Sequence, residues 1–168
     1  MQRPEVDSLR FFDVDRYLGK WYEIQRYEND FQENLDCVQL RYTLNEDRSV
    51  QVSNSAFSLL NDSTINVVGT AELSFPDDPL VPAKLNVTFF GAPNNVSNYW
   101  VLDTDYERFS VVWNCQPVGE EQSEENFWIL SRTPTLPADT EVLYRVHSIM
   151  QRYVDRSLLR FTRQLDER

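Results

Sequence analysis

Short runs in which apolar and polar residues alternate recur along most of this chain, separated by turn-forming residues. A period of two is the mark of a strand with one buried face. The runs are Gly19 to Tyr27, Cys37 to Leu44, Val50 to Phe57, Ile65 to Leu73, Lys84 to Phe90, Asn98 to Asp103, Phe109 to Cys115 and Asn126 to Ser131. Asn45-Glu46-Asp47-Arg48, Asn61-Asp62-Ser63 and Pro76-Asp77-Asp78-Pro79 punctuate them as turns. After Pro134 and Pro137 the period changes. Val142, Leu143, Val146, Ile149, Met150 and Tyr153 recur at helical spacing, which predicts one amphipathic helix over about 138–153 with Pro137 in its first turn. A short strand near 158–162 follows. Eight strands on mostly short connections predict an all-β sandwich or barrel. The up-and-down order favours an eight-stranded antiparallel barrel, because closure removes exposed sheet edges. The expected organisation is a single domain over 1–168, with the barrel at about 19–132 and the helix packed outside it.

Composition narrows the function. A chain of 168 residues suits one domain, and 10 Phe, 8 Tyr and 4 Trp suit a ring-lined interior. The formal net charge of -11 disfavours nucleic acid and anionic membranes as partners. No apolar run approaches the ~18 residues of a membrane helix, and Met1-Gln2-Arg3-Pro4-Glu5 lacks the apolar core of a signal peptide. The expectation is that any such segment was removed or never existed. The one histidine, His147, falls in the predicted helix, and neither Cys-X-X-Cys nor His-Glu-X-X-His occurs. No metal, haem or other cofactor is therefore expected. Sequons at Asn61, Asn86 and Asn95 make these three residues glycosylation candidates and favour secretion.

Three stretches carry a family resemblance. Gly19-Lys20-Trp21-Tyr22 opens the first strand, Thr104-Asp105-Tyr106 lies between the sixth and seventh, and Arg132 ends the eighth. In this order and spacing they resemble the three signature regions of the lipocalins. Tyr17 to Ile24, Pro82 to Leu85 and Tyr99 to Tyr106 are most similar to the branch that includes apolipoprotein D and Lazarillo. The resemblance implies a barrel floor built by Gly19, Trp21, Thr104, Asp105, Tyr106 and Arg132, with Arg132 stacked on Trp21. A guanidinium over an indole gains roughly 0.5–2 kcal/mol. Relatives tie an N-terminal Cys to the seventh strand and a second-strand Cys to the C-terminal tail. Cys115 and Cys37 match the strand partners, but Arg3 stands at the N-terminal position and no Cys follows 115. The two are expected as free thiols, or as one non-standard or intermolecular bond. Their missing partners leave a cytosolic location open beside the secreted one.

Alternation and resemblance together define an inward face. A glycan at Asn86 must point out, so Leu85, Val87 and Phe89 point in. If Arg132 reaches the floor, Trp128 and Leu130 share its side. The resemblance adds Val38, Leu40 and Tyr42; Val50, Val52 and Asn54; Val67, Gly69 and Ala71; Tyr99 and Val101; and Val112 and Asn114. The ligand-binding candidates are Tyr42, Val52, Asn54, Gly69, Leu85, Val87, Phe89, Tyr99, Val112, Trp128 and Leu130. Gly69 and Ala71 are expected to leave space opposite Trp128 and Phe89. Such a wall has the chemistry of a pocket for a small lipophile, with a few polar groups to orient it. It has few cations, and a buried lone carboxylate is costly. Neutral or weakly polar lipids are therefore favoured: a sterol, a retinoid, or a fatty acid with its head at the open end near Arg26 or Lys84.

The expected function is carriage without catalysis. The resemblance admits a bilin- or carotenoid-binding pigment protein, or a signalling protein that meets receptors or lipoproteins, as alternatives. Phe31 and Leu35 are expected near the open end as a lid, a membrane or lipoprotein contact, or a dimer patch. The acidic run Gly119 to Glu125 is expected as a solvated turn at the closed end. A monomer or weak dimer is expected.

Overall fold

The computed structural model describes residues 6–29, 32–89, 98–118 and 120–164. A one-turn helix α1 (Val14–Tyr17) precedes eight barrel strands: β1 (Gly19–Tyr27), β2 (Leu35–Leu44), β3 (Val50–Ser58), β4 (Ser63–Leu73), β5 (Lys84–Phe89), β6 (Tyr99–Thr104), β7 (Phe109–Val118) and β8 (Gln122–Ser131). Helix α2 (Thr140–Tyr153) and strand β9 (Leu159–Phe161) follow. The sheet runs β2-β3-β4-β5-β6-β7-β8-β1, and a β1–β2 pairing closes it into a ring, with β9 outside on β1. Every pairing is antiparallel.

The strand wall has two apolar sides, each buried for a different reason. Trp21, Tyr42, Val50, Val52, Ala71, Leu85, Val101, Val112 and Leu130 pack into one cluster inside the ring. Val111, Trp113, Phe127 and Ile129, at the alternate positions of β7 and β8, pack outside against Val142, Val146 and Met150 of α2. Burial on both sides makes Val111 to Trp113 of β7 and Phe127 to Leu130 of β8 unbroken apolar runs. Helix α2 starts later than its apolar period suggested. Asp139 is its N-cap and accepts hydrogen bonds from the amides of Glu141 and Val142. Pro137 therefore lies before the cap and not in the first turn.

The ends of the barrel follow from counting hairpins. The β2–β3, β4–β5 and β6–β7 connections share the end where β1 begins and β8 finishes. The β7–β8 turn belongs to the opposite, open end, together with the β1–β2 and β3–β4 turns. The acidic run is thus at the open end, not the closed one. Most of it is strand, since Gln116 pairs with Glu124 and Cys115 with Glu125. The same counting moves Lys84 to the closed end, where β5 starts. There its ammonium sits 3.9 Å from the centre of the Trp100 ring. Phe31 lies outside the described residues, as do Phe90 and Asn95.

The closure between β1 and β2 is only partly made by those two strands. They pair from Gly19 to Tyr22, and above that β1 turns to β9, with Gln25 opposite Phe161. The tail after β9 fills the gap. The Thr162 amide donates to the Ile24 carbonyl and the Cys37 amide to the Arg163 carbonyl. Gln164 Nε2 donates to the carbonyls of Glu23 and Val38, and Arg160 pairs with Asp36 at 3.0 Å. The tail is held where the family resemblance places a disulfide, while Cys37 and Cys115 are both free.

A buried ion pair organises this seam. Arg26 Nη1 and Glu23 Oε2 are 2.8 Å apart, with side chains 0% and 1% exposed. Three residues apart in a regular strand, they would face opposite ways, but an irregularity between Glu23 and Gln25 shifts the register. Thr162 Oγ1 also bonds Glu23, and Gln32 Nε2 donates to its second oxygen at 2.9 Å. Arg26 Nη2 donates to the carbonyls of Gln32 and Leu35. Removing one partner strands the other charge. Glu23→Ala is expected to lose about 3–5 kcal/mol in urea unfolding, whereas replacing the pair together by Leu and Met should cost far less. Equal losses in both variants would contradict this account.

Candidate functional site: the barrel interior

The floor is a stack held by one guanidinium. Arg132 lies over Trp21, 3.7 Å from the guanidinium carbon to the ring centre. Its donors reach four carbonyls: Tyr106 at 2.8 Å, Lys20 at 2.9 Å, Arg16 at 3.1 Å and Tyr17 at 3.4 Å. Gly19 admits this approach, since it has a φ of 102° and a Cβ there would stand 3.2 Å from Arg132 Nη1. Trp21 Nε1 donates to the Tyr17 carbonyl at 3.0 Å.

The Thr104-Asp105-Tyr106 turn presents the Tyr106 carbonyl to Arg132. Thr104 Oγ1 donates to the Phe109 carbonyl and accepts from the Tyr106 amide. Asp105 Oδ1 accepts from the amides of Glu107, Arg108 and Phe109, while its other oxygen pairs with Arg108. Burial pushes the Asp105 carboxyl up, but its bonds to Arg108 and the turn amides outweigh that, and its pKa falls below 3.8.

Above the floor stands a tyrosine cluster that the pattern of the chain did not reveal. Tyr17, from α1, reaches into the barrel and its hydroxyl bonds Tyr99 Oη at 2.7 Å and Ser110 Oγ at 2.8 Å. The Tyr42 ring touches Tyr17 and Tyr99, with ring centres 5.6 and 6.1 Å apart. Burial pushes Tyr17 up to about 12 and holds Tyr42 and Tyr99 well above 10. All three are neutral phenols across the physiological range.

The middle and upper wall is less completely covered. Val52, Leu85, Val112 and Leu130 are buried, whereas Leu40, Asn54, Val87, Phe89, Tyr99 and Trp128 keep part of their surface exposed. Leu40, Val87, Phe89, Tyr99 and Trp128 nonetheless pack on the interior cluster. Val67, expected on this wall, is 41% exposed. Gly69 leaves no room beside itself: a Cβ there would meet the Thr88 carbonyl at 2.2 Å and the Phe89 ring at 2.9 Å. Phe89 is its cross-strand partner and covers it. Trp128 Nε1 donates to Gln32 Oε1 at 2.9 Å, which ties the β1–β2 connection to the wall. Arg26 is at the open end as expected, but its bonds to Glu23, Gln32 and Leu35 already engage it.

The other sequence candidates fall away from this interior. Cys115 packs in the outer cluster. His147 is exposed on α2. Asn61 is exposed in the β3–β4 turn, and Asn86 is half-buried and accepts from Ser74 Oγ at 3.0 Å.

Two outcomes follow from the floor and the cluster. Arg132→Lys keeps charge but loses the planar fork, so it should lower unfolding free energy by about 1–3 kcal/mol in urea titration. A variant as stable as the parent would contradict the stacking role. Tyr17 has a raised folded pKa, so its contribution is intact below pH 10 and is lost as pH rises through about 12. Tyrosinate absorbance during alkaline titration should show a slow fraction that ionises only as near-ultraviolet dichroism collapses. Ionisation of all tyrosines near pH 10 with the fold intact would contradict the burial.

Comparison with known proteins agrees with this geometry. A lipocalin-like domain model matches residues 12–163. The chain is 38% identical to apolipoprotein D of Bos taurus over 82% of this chain and 69% of that one. It is 37% identical to the outer membrane lipoprotein Blc of Citrobacter freundii over 78% of this chain and 68% of that one. Among solved structures, insecticyanin from the tobacco hornworm Manduca sexta superposes with a TM-score of 0.85 at 24% identity, covering 98% of this chain and 87% of that one. The stacked floor, the closed eight-stranded ring and these matches establish that the chain belongs to the lipocalin family, on the side of apolipoprotein D.

Proposed function

We propose that the protein carries one small, neutral or weakly polar lipophile inside the barrel and performs no chemistry on it. Binding of a small lipophilic ligand follows from the family. The preference for a neutral one is supported by the interior itself: apolar walls, protonated tyrosines and no uncommitted cation among the described residues. Arg132 is spent on Trp21 and four carbonyls, and Arg26 on Glu23 and two carbonyls. A carboxylate buried there would lose hydration with no partner to replace it. The same reasoning counts against a bilin, whose propionates are anionic. The candidate contacts are Tyr42, Val52, Asn54, Leu85, Val87, Phe89, Tyr99, Val112, Trp128 and Leu130, with Gly69 serving the wall by its close approach to β5.

The reading of a carrier is supported by Cys115, which packs in the outer cluster; Cys37 is held through its amide, which donates to the Arg163 carbonyl of the tail. A secreted glycoprotein fits the exposed sequon at Asn61, with Asn86 less accessible. A second reading, contact with a neutral lipid or lipoprotein surface, draws on Leu59 and Leu60, which are 54% and 76% exposed at the open end.

Tryptophan fluorescence tests the main reading, because Trp128 stands on the proposed wall. Retinol and progesterone should quench it saturably, and a long-chain fatty acid should bind more weakly at neutral pH. Quenching by the fatty acid alone would refute the neutral preference. Alkylation of Cys37 and Cys115 should leave retinol affinity within about twofold; loss of binding would point to a thiol inside the site.

A further inference from the structure

A groove of about 880 Å³ runs along the closed end of the barrel, between the β2–β3 turn, the end of β4 and the segment that leads into α1. Phe12, Leu44, Val50, Ala71 and Leu73 give it an apolar lining. Asp13, Asp15, Asp47 and Glu72 add four carboxylates, all on exposed residues. None of the four is in an ion pair among the described residues. Arg48 is the one base in the lining.

Large apolar side chains at this end are displayed to solvent. Leu44 is 44% exposed, and Phe75 and Leu80 of the β4–β5 connection are exposed to a similar degree. Phe11, which precedes the groove residue Phe12, is 67% exposed. Its backbone has a φ of 57°, and Val81 has a φ of 39°. Bulky and β-branched residues rarely adopt such left-handed values. The Phe11 amide donates to the Leu80 carbonyl at 2.7 Å and the Phe12 amide to the Val81 carbonyl at 3.0 Å, which holds the two segments together. A phenyl ring kept in water on a strained backbone contributes nothing to the isolated fold. Apolar surface of this kind, rimmed by polar groups, marks a contact site.

The rim decides what fits. A second copy of a chain with net charge -11 would bring like charge against these carboxylates. A neutral lipid surface would dehydrate them without supplying a partner. A segment that carries Lys or Arg beside large apolar side chains answers both demands: the apolar groups fill the groove and the cations pair with the rim. We propose that the closed-end groove docks a partner protein through a basic amphipathic helix of that partner. The groove lies at the opposite end from the mouth, so a partner seated there leaves the interior accessible.

Fluorescence anisotropy on the full chain tests this with three labelled peptides: an amphipathic helix of Lys and Leu, the same peptide with Ser for Leu, and the same peptide with Glu for Lys. The Lys/Leu peptide should bind about tenfold more tightly than either control. Leu44→Ser and Glu72→Lys should each weaken it about tenfold, the effect of one lost anchor. Phe11→Asn should weaken it similarly while the urea midpoint stays level or rises, because Asn accepts a positive φ more readily than Phe. Retinol affinity should be the same in all three variants, so the docking proposal and the carrier reading stand or fall separately. Equal binding of either control peptide overturns the proposal, as do variants that bind the Lys/Leu peptide like the parent. A parent dimer in sedimentation equilibrium, or binding to phosphatidylcholine vesicles, that Leu44→Ser abolishes also overturns it, since the occupant is then a second copy or a lipid surface. The comparison of the three peptides on the parent stands even if a variant fails to fold.

Discussion

The structure turns on the contact between Arg132 and Trp21. A guanidinium 3.7 Å from the indole centre, bonded to four carbonyls, joins the end of β8 to the start of β1 and to both flanking turns. Once that contact is made, the level of β8 against β1 is set. Strand alternation then carries the choice of side from Arg132 to Leu130, Trp128 and Asn126. Neighbouring strands inherit it by pairing: Val112 opposite Trp128, Val101 opposite Val112, and Leu85 opposite Tyr99. The inner wall is thus a consequence of one stacked pair propagated by hydrogen-bonded register. The outer wall is the complementary set, and α2 covers it where β7 and β8 are most apolar.

Polarity inside the ring is unevenly distributed, and that unevenness has functional meaning. The Glu23–Arg26 ion pair sits at the open-end seam, where it binds the tail and the β1–β2 connection, and the Arg132 guanidinium lies beneath the floor, stacked on Trp21. The floor carries neutral hydroxyls, pushed out of their ordinary ionisation range by burial. Between the two lie apolar side chains that are only partly covered. A ligand entering this space meets hydrogen-bonding groups without free charge. The tail network also gives a physical account of how the seam closes without a disulfide: Asp36 and Glu23 collect donors from Arg160, the Arg163 amide and Thr162.

Much of this was legible in the chain. Period-two runs located all eight barrel strands within a few residues, because burial on one side is written at every second position. Alternation names two sides of a strand but not which one is inside: the Asn86 sequon chose it for Leu85, the expected place of Arg132 chose it for Leu130, and the family resemblance chose it for Tyr42, Val52 and Val112. What escaped depends on features that alternation cannot express. Glu23 and Arg26, three apart, read as facing opposite sides until a register shift brings them together. Tyr17 lies before the first strand, and nothing local says that its ring enters the barrel. Asn126 read as a strand boundary because the acidic run before it resembles a solvated turn, yet cross-strand pairing with β7 extends β8 back to Gln122. Gly69 read as space, whereas the register seats Phe89 over it.

The central claim is that the interior above Trp21 receives a neutral lipophile between Tyr42, Phe89 and Trp128. A crystal structure of the protein grown with retinol addresses it directly. The account predicts elongated density along the barrel axis within contact distance of those three side chains, with Arg132 still stacked on Trp21. Side chains of Leu40, Phe89 and Trp128 closed upon one another across the ring, with retinol absent or bound outside it, would contradict the claim.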